Sequence, residues 1–424
     1  MHQESHVKRR EFGKDLFRLA TLMGCGSCVF ESASASTIPS NQGYAEGLLL
    51  GGLIGDALGG PIEFLPPDGS RTGLVDARTW KPDRQLTLAD LKKLSGSVPL
   101  LSYRTLRPQP ASYGPWEKEA PAGTLTDDSR HKIVLIRAIQ TASKRGVPLT
   151  AELIAKSFLA FEPERYSSDA ELQRLTEEGL REYRYAARWL LGERDPSKAR
   201  PLERLWAGVN NCSGQMLLPP LALAYAGEPE KAYRKAFEIN FVDAPQARDM
   251  ASSLVAGLAE LLSPKHLGKS ESTRWEIFLD AMRDTDPFRY RDVPFAGRPL
   301  NKWLDTAEEL ATQADRKPKE LYRLLETEGK PVYWWDAHFT LLVPLSMMHF
   351  CDGDPLAALH LTLDFGHDTD SYAQVLGCIV GAIHGSTVFP APMIEAVQRT
   401  LRRDYDESTS DWIKLLTDDD WSRE

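Results

Sequence analysis

The sequence predicts an all-α fold, one large orthogonal helical domain, and three observations carry that prediction. Apolar residues return every three or four positions along most of the chain from Asn41 onward, the period of helices with one buried face. Runs of strict apolar–polar alternation, the mark of a half-buried strand, are scarce. Two glycine series, Gly47, Gly51, Gly55, Gly59 and Gly377, Gly381, Gly385, keep a spacing of four, which on a helix lines them up as one stripe.

Taken in order, the first glycine series predicts a helix that stops near Gly59-Gly60-Pro61. Helical periodicity then marks 133–142, 153–160, 172–191, 232–241 and 247–262. It resumes over 304–311, 321–325, 339–348, 356–363 and 373–383. Proline- and glycine-rich loops fall at 65–73, 105–123 and 285–298. The stretches of about 65–122 and 264–333 read as loop-rich insertions into a single domain of 41–415. Each interior glycine costs a helix roughly 1 kcal/mol against alanine. Two such series need compensation, and close backbone approach of two buried helices supplies it. That approach brings residues at the helix ends into one site.

The 424 residues are 42% hydrophobic and 26% charged, which excludes disordered, collagen-like and coiled-coil classes. A net charge of −9 denies the chain the positive field of a non-specific nucleic-acid binder. Five cysteines are too few for a disulfide framework. No apolar run reaches the roughly 18 residues of a membrane span. The chain is expected to act as a monomer. At the N-terminus, Arg9-Arg10 with Phe12 and Lys14, a mostly apolar stretch and then Ala33-Ser34-Ala35 form a twin-arginine export pattern. Residues 1–35 are therefore expected to send the protein to the periplasm. An ordinary basic N-terminal helix would leave it in the cytoplasm.

Three acidic clusters carry the candidate chemistry: Gly55-Asp56 with Glu63, Thr126-Asp127-Asp128-Ser129, and His367-Asp368-Thr369-Asp370-Ser371. The second and third precede apolar helices, so helix capping is their bland reading. Crowded carboxylates nevertheless repel one another unless a cation neutralises them. Oxygen donors without cysteine or histidine partners suit Mg²⁺, Mn²⁺ or Ca²⁺ rather than Zn²⁺. Four aspartates with the Thr126 and Ser371 hydroxyls suffice for two such ions. Cys212, Cys351 and Cys378 lack ligand spacing and read as small core residues.

In this order the clusters resemble the ADP-ribosylglycohydrolase family, which includes the dinitrogenase-reductase-activating glycohydrolases. Its members carry a Gly-Asp-Ala-x-Gly helix with a downstream Glu, a Thr-Asp-Asp-Thr/Ser motif, and a late Gly-Gly-Asp-Thr-Asp-Thr before a glycine-rich helix. The resemblance spans about 43 to 400 and implies an all-α fold. It implies two Mg²⁺ or Mn²⁺ ions held by the matches to Thr126, Asp127, Asp128, Asp368, Asp370 and Ser371. It also implies hydrolysis at the anomeric carbon of an ADP-ribosyl group, on a modified protein or a small molecule. Glu63, Asp127 and Asp368 are the catalytic candidates, Glu63 as acid/base or gate.

Departures cluster around the implied ADP-ribose pocket. His367 replaces a glycine and becomes a pocket candidate, with a solvated loop histidine as the alternative. Asn211, Ser213 and Gly214 match the family's Asn-Gly-x-x-Met-Arg stretch loosely, with Asn211 one place off and Leu217 for the Arg. Asn240-Phe241 stands where the family has Thr-His. These three residues and His367 are the substrate-binding candidates. The altered pocket keeps two other classes open: an ADP-ribose-binding protein without turnover, and a structural protein with a relict metal site. Trp116 and Trp334-Trp335 are candidates to stack on a base, with buried packing as the alternative.

Overall fold

The computed structural model describes residues 41–64, 85, 87, 89–90, 122–162, 170–418 and 421. The export pattern of 1–35, Trp116 and nearly all of the 65–122 insertion lie outside the described residues. Within them the chain is helical, with no strand beyond an isolated bridge between Asn211 and Asp336. None of these helices is long and apolar enough to cross a membrane.

Helix α1 (Asn41–Gly59) ends in a 3₁₀ turn over Gly60–Ile62. Then follow α2 (Asp127–Arg145), α3 (Ala151–Ala160), α4 (Ala170–Leu190) and the short α5 (Ser213–Leu217). The middle of the chain forms α6 (Pro229–Ile239), α7 (Pro245–Leu261), α8 (Glu271–Asp284), α9 (Pro299–Gln313) and α10 (Pro318–Glu328). The C-terminal part forms α11 (Ala337–Phe350), α12 (Pro355–Phe365), α13 (Thr369–His384), α14 (Ala391–Tyr405) and α15 (Thr409–Leu416).

The stretch 264–333, read as a loop-rich insertion with helical periodicity at 304–311 and 321–325, holds α9 and α10 at those periodicities and α8 besides. Their polar outer faces dilute the apolar signal, but Phe278, Met282, Leu300, Leu304, Leu321 and Leu325 bury an inner stripe. Proline at the first turn starts α9 and α10, and the Ser270 hydroxyl caps α8 by accepting the Thr273 N–H.

The centre of the fold is the pair α1 and α13, buried on all sides from Gly47 to Gly59 and from Thr369 to Ile383. They cross antiparallel. A Cβ at Gly47, Gly51 or Gly55 would fall far inside 3.0 Å of backbone at Gly381, Gly377 or Ala373. Gly59 is equally tight against Asp370. The glycine series thus serve the close approach expected of them. Gly385 differs: with φ +83 it ends α13.

Arg274, fully buried on α8, secures the far end of this pair. Its guanidinium donates to the carbonyls of Leu261, His266, Ala382 and Ile383 at 2.7–3.0 Å and lies 4.0 Å above the Tyr44 ring. One side chain therefore satisfies the last carbonyls of α7 and α13, groups with no partner inside their own helices.

Candidate metal and hydrolase site

Antiparallel crossing puts the C-terminal end of α1 against the N-terminal end of α13. Asp56, on the last turns of α1, is fully buried and accepts hydrogen bonds from Thr126 N–H at 3.1 Å, Thr126 Oγ1 at 2.5 Å and Ser129 Oγ. Thr126 is also the N-cap of α2, accepting the Asp128 N–H at 3.1 Å. Asp56 therefore staples the start of α2 to α1. From α13, Ser371 Oγ donates to Asp128 Oδ2 at 3.4 Å, and Ser371 N–H donates to Asp370 Oδ1 at 3.0 Å. Regions far apart in sequence meet here, Asp128 and Ser371 being 243 positions apart.

Two carboxylate triads result. Single oxygens of Asp56, Asp128 and Asp370 lie within 4.8 Å of one another, and so do oxygens of Glu63, Asp368 and Asp370. Asp370 belongs to both. Burial raises every one of these carboxyls. Neighbouring carboxylates push Glu63, Asp128 and Asp370 further, well above the ordinary range. Asp368 rises to about 7 and Asp127 to about 6, burial being the main cause in each. Behind the cluster, the buried Lys132 ammonium donates to the Asp128 carbonyl at 3.1 Å and its charge lowers Asp56 against the burial effect. The N-termini of α2 and α13 add partial positive charge beside Asp127, Asp128 and Asp370.

The cluster floors a cavity with about 590 Å³ of empty space. Glu63, Asp127, Asp128, Asp368, Asp370, Ser371, Asn211 and Ser213 line it, as do Phe64, Tyr183, Trp206, Cys212, Met216 and Trp335. Glu63 is 3% exposed and belongs to the buried cluster rather than to the protein surface. Its Oε2, and Oδ1 of Asp128, are buried and make no hydrogen bond. Unpaired buried carboxylate oxygens are costly. Repulsion among six clustered carboxylates adds to that cost. A hard divalent cation relieves both, and the all-oxygen donor set fits one.

The remaining sequence candidates fall differently. Thr126 stands behind the wall, bonded to Asp56. Gly214 is off the wall too: its N–H donates to Asp243 Oδ1 at 2.9 Å, and Asp243 also accepts from Asn240 Nδ2 at 2.8 Å. That pair packs α5 where the substrate candidate was expected. His367 is neither on the wall nor solvated. Its ring stacks on Trp334 at 3.6 Å between centroids, and Nε2 meets Glu326 Oε1 at 2.9 Å. The aromatic surroundings of 334 and 365 bury it. Cys212 is buried as expected, yet it lies on the wall, 3.8 Å from Asp368 Oδ2 and 3.6 Å from Ser371 Oγ.

The sequence placed Asp56 in an acidic cluster without giving it a site role, although a signal existed: a carboxylate within a helix that offers it no polar face must be paired in the core. Tyr183 and Trp206 were also missed. Tyr183 OH is 2.8 Å from Ser213 Oγ, and Trp206 sits at φ +48, a left-handed conformation that turns its ring to the cavity. Neither has a local sequence signature.

Among solved structures, one described as an ADP-ribosylglycohydrolase-related protein complex is similar, with TM-score 0.49 and 19% identity over 90% of this chain and 99% of that chain. No curated protein matches the sequence. The sequence profile described as ADP-ribosylglycohydrolase matches residues 39–423, which includes every acidic cluster of the site. The chain belongs to the ADP-ribosylglycohydrolase family.

Proposed function

We propose that this cavity hydrolyses the bond between C1 of the distal ribose of an ADP-ribosyl group and its leaving group, with two Mg²⁺ or Mn²⁺ ions. The observation that carries this reading is the convergence of Glu63, just after α1, with carboxylates from α2 and from the N-terminal end of α13 on one cavity, two of the five with unpaired buried oxygens. Asp56, Asp127, Asp128, Asp368 and Asp370, with the Thr126 and Ser371 hydroxyls, would hold the cations. Bound there, such ions polarise sugar hydroxyls and make a water more acidic.

The chain's own groups do the rest. Burial, the first cause of the raised value of Glu63, favours its protonated form. Glu63 lines the cavity, and it donates that proton to the departing group. Asp127, half-buried and on the wall, takes the proton of the attacking water. The Tyr183–Ser213 pair and Asn211, whose Oδ1 accepts the Ser213 N–H at 3.1 Å, fix the wall that the sugar faces.

Purified protein incubated with Mg²⁺ or Mn²⁺ and peptides ADP-ribosylated on arginine or on serine tests the reading. Release of free ADP-ribose, lost on chelation, is the expected result. ADP-ribose binding without release from any substrate would make the chain a binding protein instead.

A further inference from the structure

The two stretches in which the sequence departs from the family pattern, 211–217 and 240–241, meet in the structure at one carboxylate, that of Asp243. Helix α5 is five residues long, too short to hold its own shape or direction. Yet Asn211, Cys212, Ser213 and Met216, in it and just before it, line the cavity. Their placement must come from outside the helix. Cys212, at the N-cap, supplies no side-chain cap. Asn211 Oδ1 accepts the Ser213 N–H at 3.1 Å, and Asp243 Oδ1, 29 positions further on, accepts the Gly214 N–H at 2.9 Å. Two donors that a helix start leaves without partners are satisfied in this way, one of them by a distant carboxylate. Gln215 ties the same helix elsewhere: its Nε2 donates to the Ala337 carbonyl at 2.8 Å, and its own carbonyl accepts from Gln374 Nε2 at 3.0 Å.

Asp243 is itself held firmly. It is buried in the corner between the end of α6 and the start of α7, and its Oδ2 accepts Asn240 Nδ2 at 2.8 Å. Arg248, in the first turn of α7, donates to the Asp243 carbonyl at 3.5 Å. Glycine at 214 is what lets the carboxylate reach the backbone: a Cβ there would fall well inside 3.0 Å of both Asp243 Oδ2 and Asn240 Nδ2. Phe241 braces the wall from a second side. It meets Phe158 edge-on at 5.9 Å, Phe158 stacks on Tyr183 at 5.4 Å and 15°, and the Tyr183 hydroxyl reaches Ser213. The corner of 240–243 therefore supports one wall segment twice, by a hydrogen bond and through three rings.

We propose, on the footing of the cavity reading above, that Asp243 is a positioning residue: from behind the wall, its hydrogen bond to Gly214 sets the place of the 211–216 segment against the ADP-ribosyl group. It acts as an acceptor of fixed geometry and not through its charge. Two variants separate these roles. Asp243→Ala leaves the Gly214 N–H and Asn240 Nδ2 buried without an acceptor. Asp243→Asn drops the charge and keeps an oxygen for the Gly214 N–H. The Asn240 amide can then turn over and offer the new amide its Oδ1, which has no partner in the wild type.

The test titrates the full chain with ADP-ribose in the presence of Mn²⁺ and follows amide hydrogen exchange in the peptide that spans 210–217. Asp243→Ala is expected to weaken ADP-ribose binding by about 10-fold or more, because a small misplacement of a binding wall is costly. Exchange in that peptide should quicken, while the rise in melting temperature on adding Mn²⁺ is kept. Asp243→Asn should stay near the wild type in all three readouts. Gly214→Ala, which displaces the carboxylate with Asp243 intact, should match Asp243→Ala. Unchanged affinity and exchange in Asp243→Ala would overturn the proposal. So would joint loss of affinity and of the Mn²⁺ rise, the mark of a general packing role. An Asp243→Asn variant as weak as Asp243→Ala would overturn it too, in favour of the charge. A wild type that binds no ADP-ribose contradicts the cavity reading instead, and exchange in 210–217 still decides whether Asp243 holds the wall segment.

Discussion

Glu63 shows how one side chain's environment sets its task. Desolvation and the surrounding carboxylates hold a proton on it, and no protein donor or acceptor reaches its Oε2. Glu63→Gln keeps the shape and removes the transferable proton. Turnover should fall by roughly 10²-fold or more while metal content and melting temperature hold. Unchanged turnover would leave Glu63 a packing residue. The aspartates make a prediction with a definite sign. Asp127 at about 6 and Asp368 at about 7 stand above the ordinary 3.8. Between about pH 4 and about pH 7 the folded metal-free chain therefore holds protons that the unfolded chain has released. Its stability should fall as pH rises through that window, and protons should compete with cations. Thermal melts in chelator from pH 5 to 8 should show a declining midpoint, while the increment from added Mn²⁺ grows. An increment independent of pH would mean that the metal binds elsewhere.

At the scale of elements, the α1–α13 crossing is the device that makes a site from distant sequence. Gly51→Ala drives a methyl into the Gly377 carbonyl, a backbone atom that cannot step aside. The expected cost is about 2 kcal/mol or more in chemical denaturation, with weaker cation binding as Asp56 and Asp370 separate. Arg274→Met isolates the other end of the pair. It leaves four carbonyls without their donor, which should cost about 3 kcal/mol or more. Because Arg274 lies at the end of α13 opposite Asp370, metal affinity measured well below the melting point should not change. Loss of affinity in this variant would show that the whole helix pair shifts, not one end. The crossing itself was legible in the sequence, since glycine in helix interiors is costly enough to demand a reason. Within 264–333, α9 and α10 showed as short runs of helical periodicity, but α8 did not, because an amphipathic helix with a charged outer face resembles a loop when composition is read locally. His367 was misread for a similar reason: its burial depends on Trp334 and Glu326, which no local pattern brings near.

For the molecule as a whole, the acidic motifs were legible as clusters because like charges side by side are unfavourable without a partner. Their union was an inference from the family resemblance, and the structure supplies the geometry: α1, α2 and α13 converge, Asp370 sits in both triads, and Asp56 joins them through Thr126 and Ser129. Cavity walls from α4 and the Trp206 turn could not be read, because each depends on contacts across the fold, whereas Trp335 was named as a stacking candidate and lies on the wall. The central claim is that this convergence is a divalent-cation site, and one measurement tests it directly. The melting temperature of the wild type and of Asp370→Asn is recorded in chelator and across a Mn²⁺ titration. A ligand that binds only the folded state stabilises it in proportion to its affinity. The account predicts a clear, saturable rise for the wild type and little or none for Asp370→Asn, even where removing one repelling charge makes the metal-free variant the more stable of the two. Equal metal-induced shifts in both proteins would contradict it, and would return Asp370 to a residue that only complements a helix end.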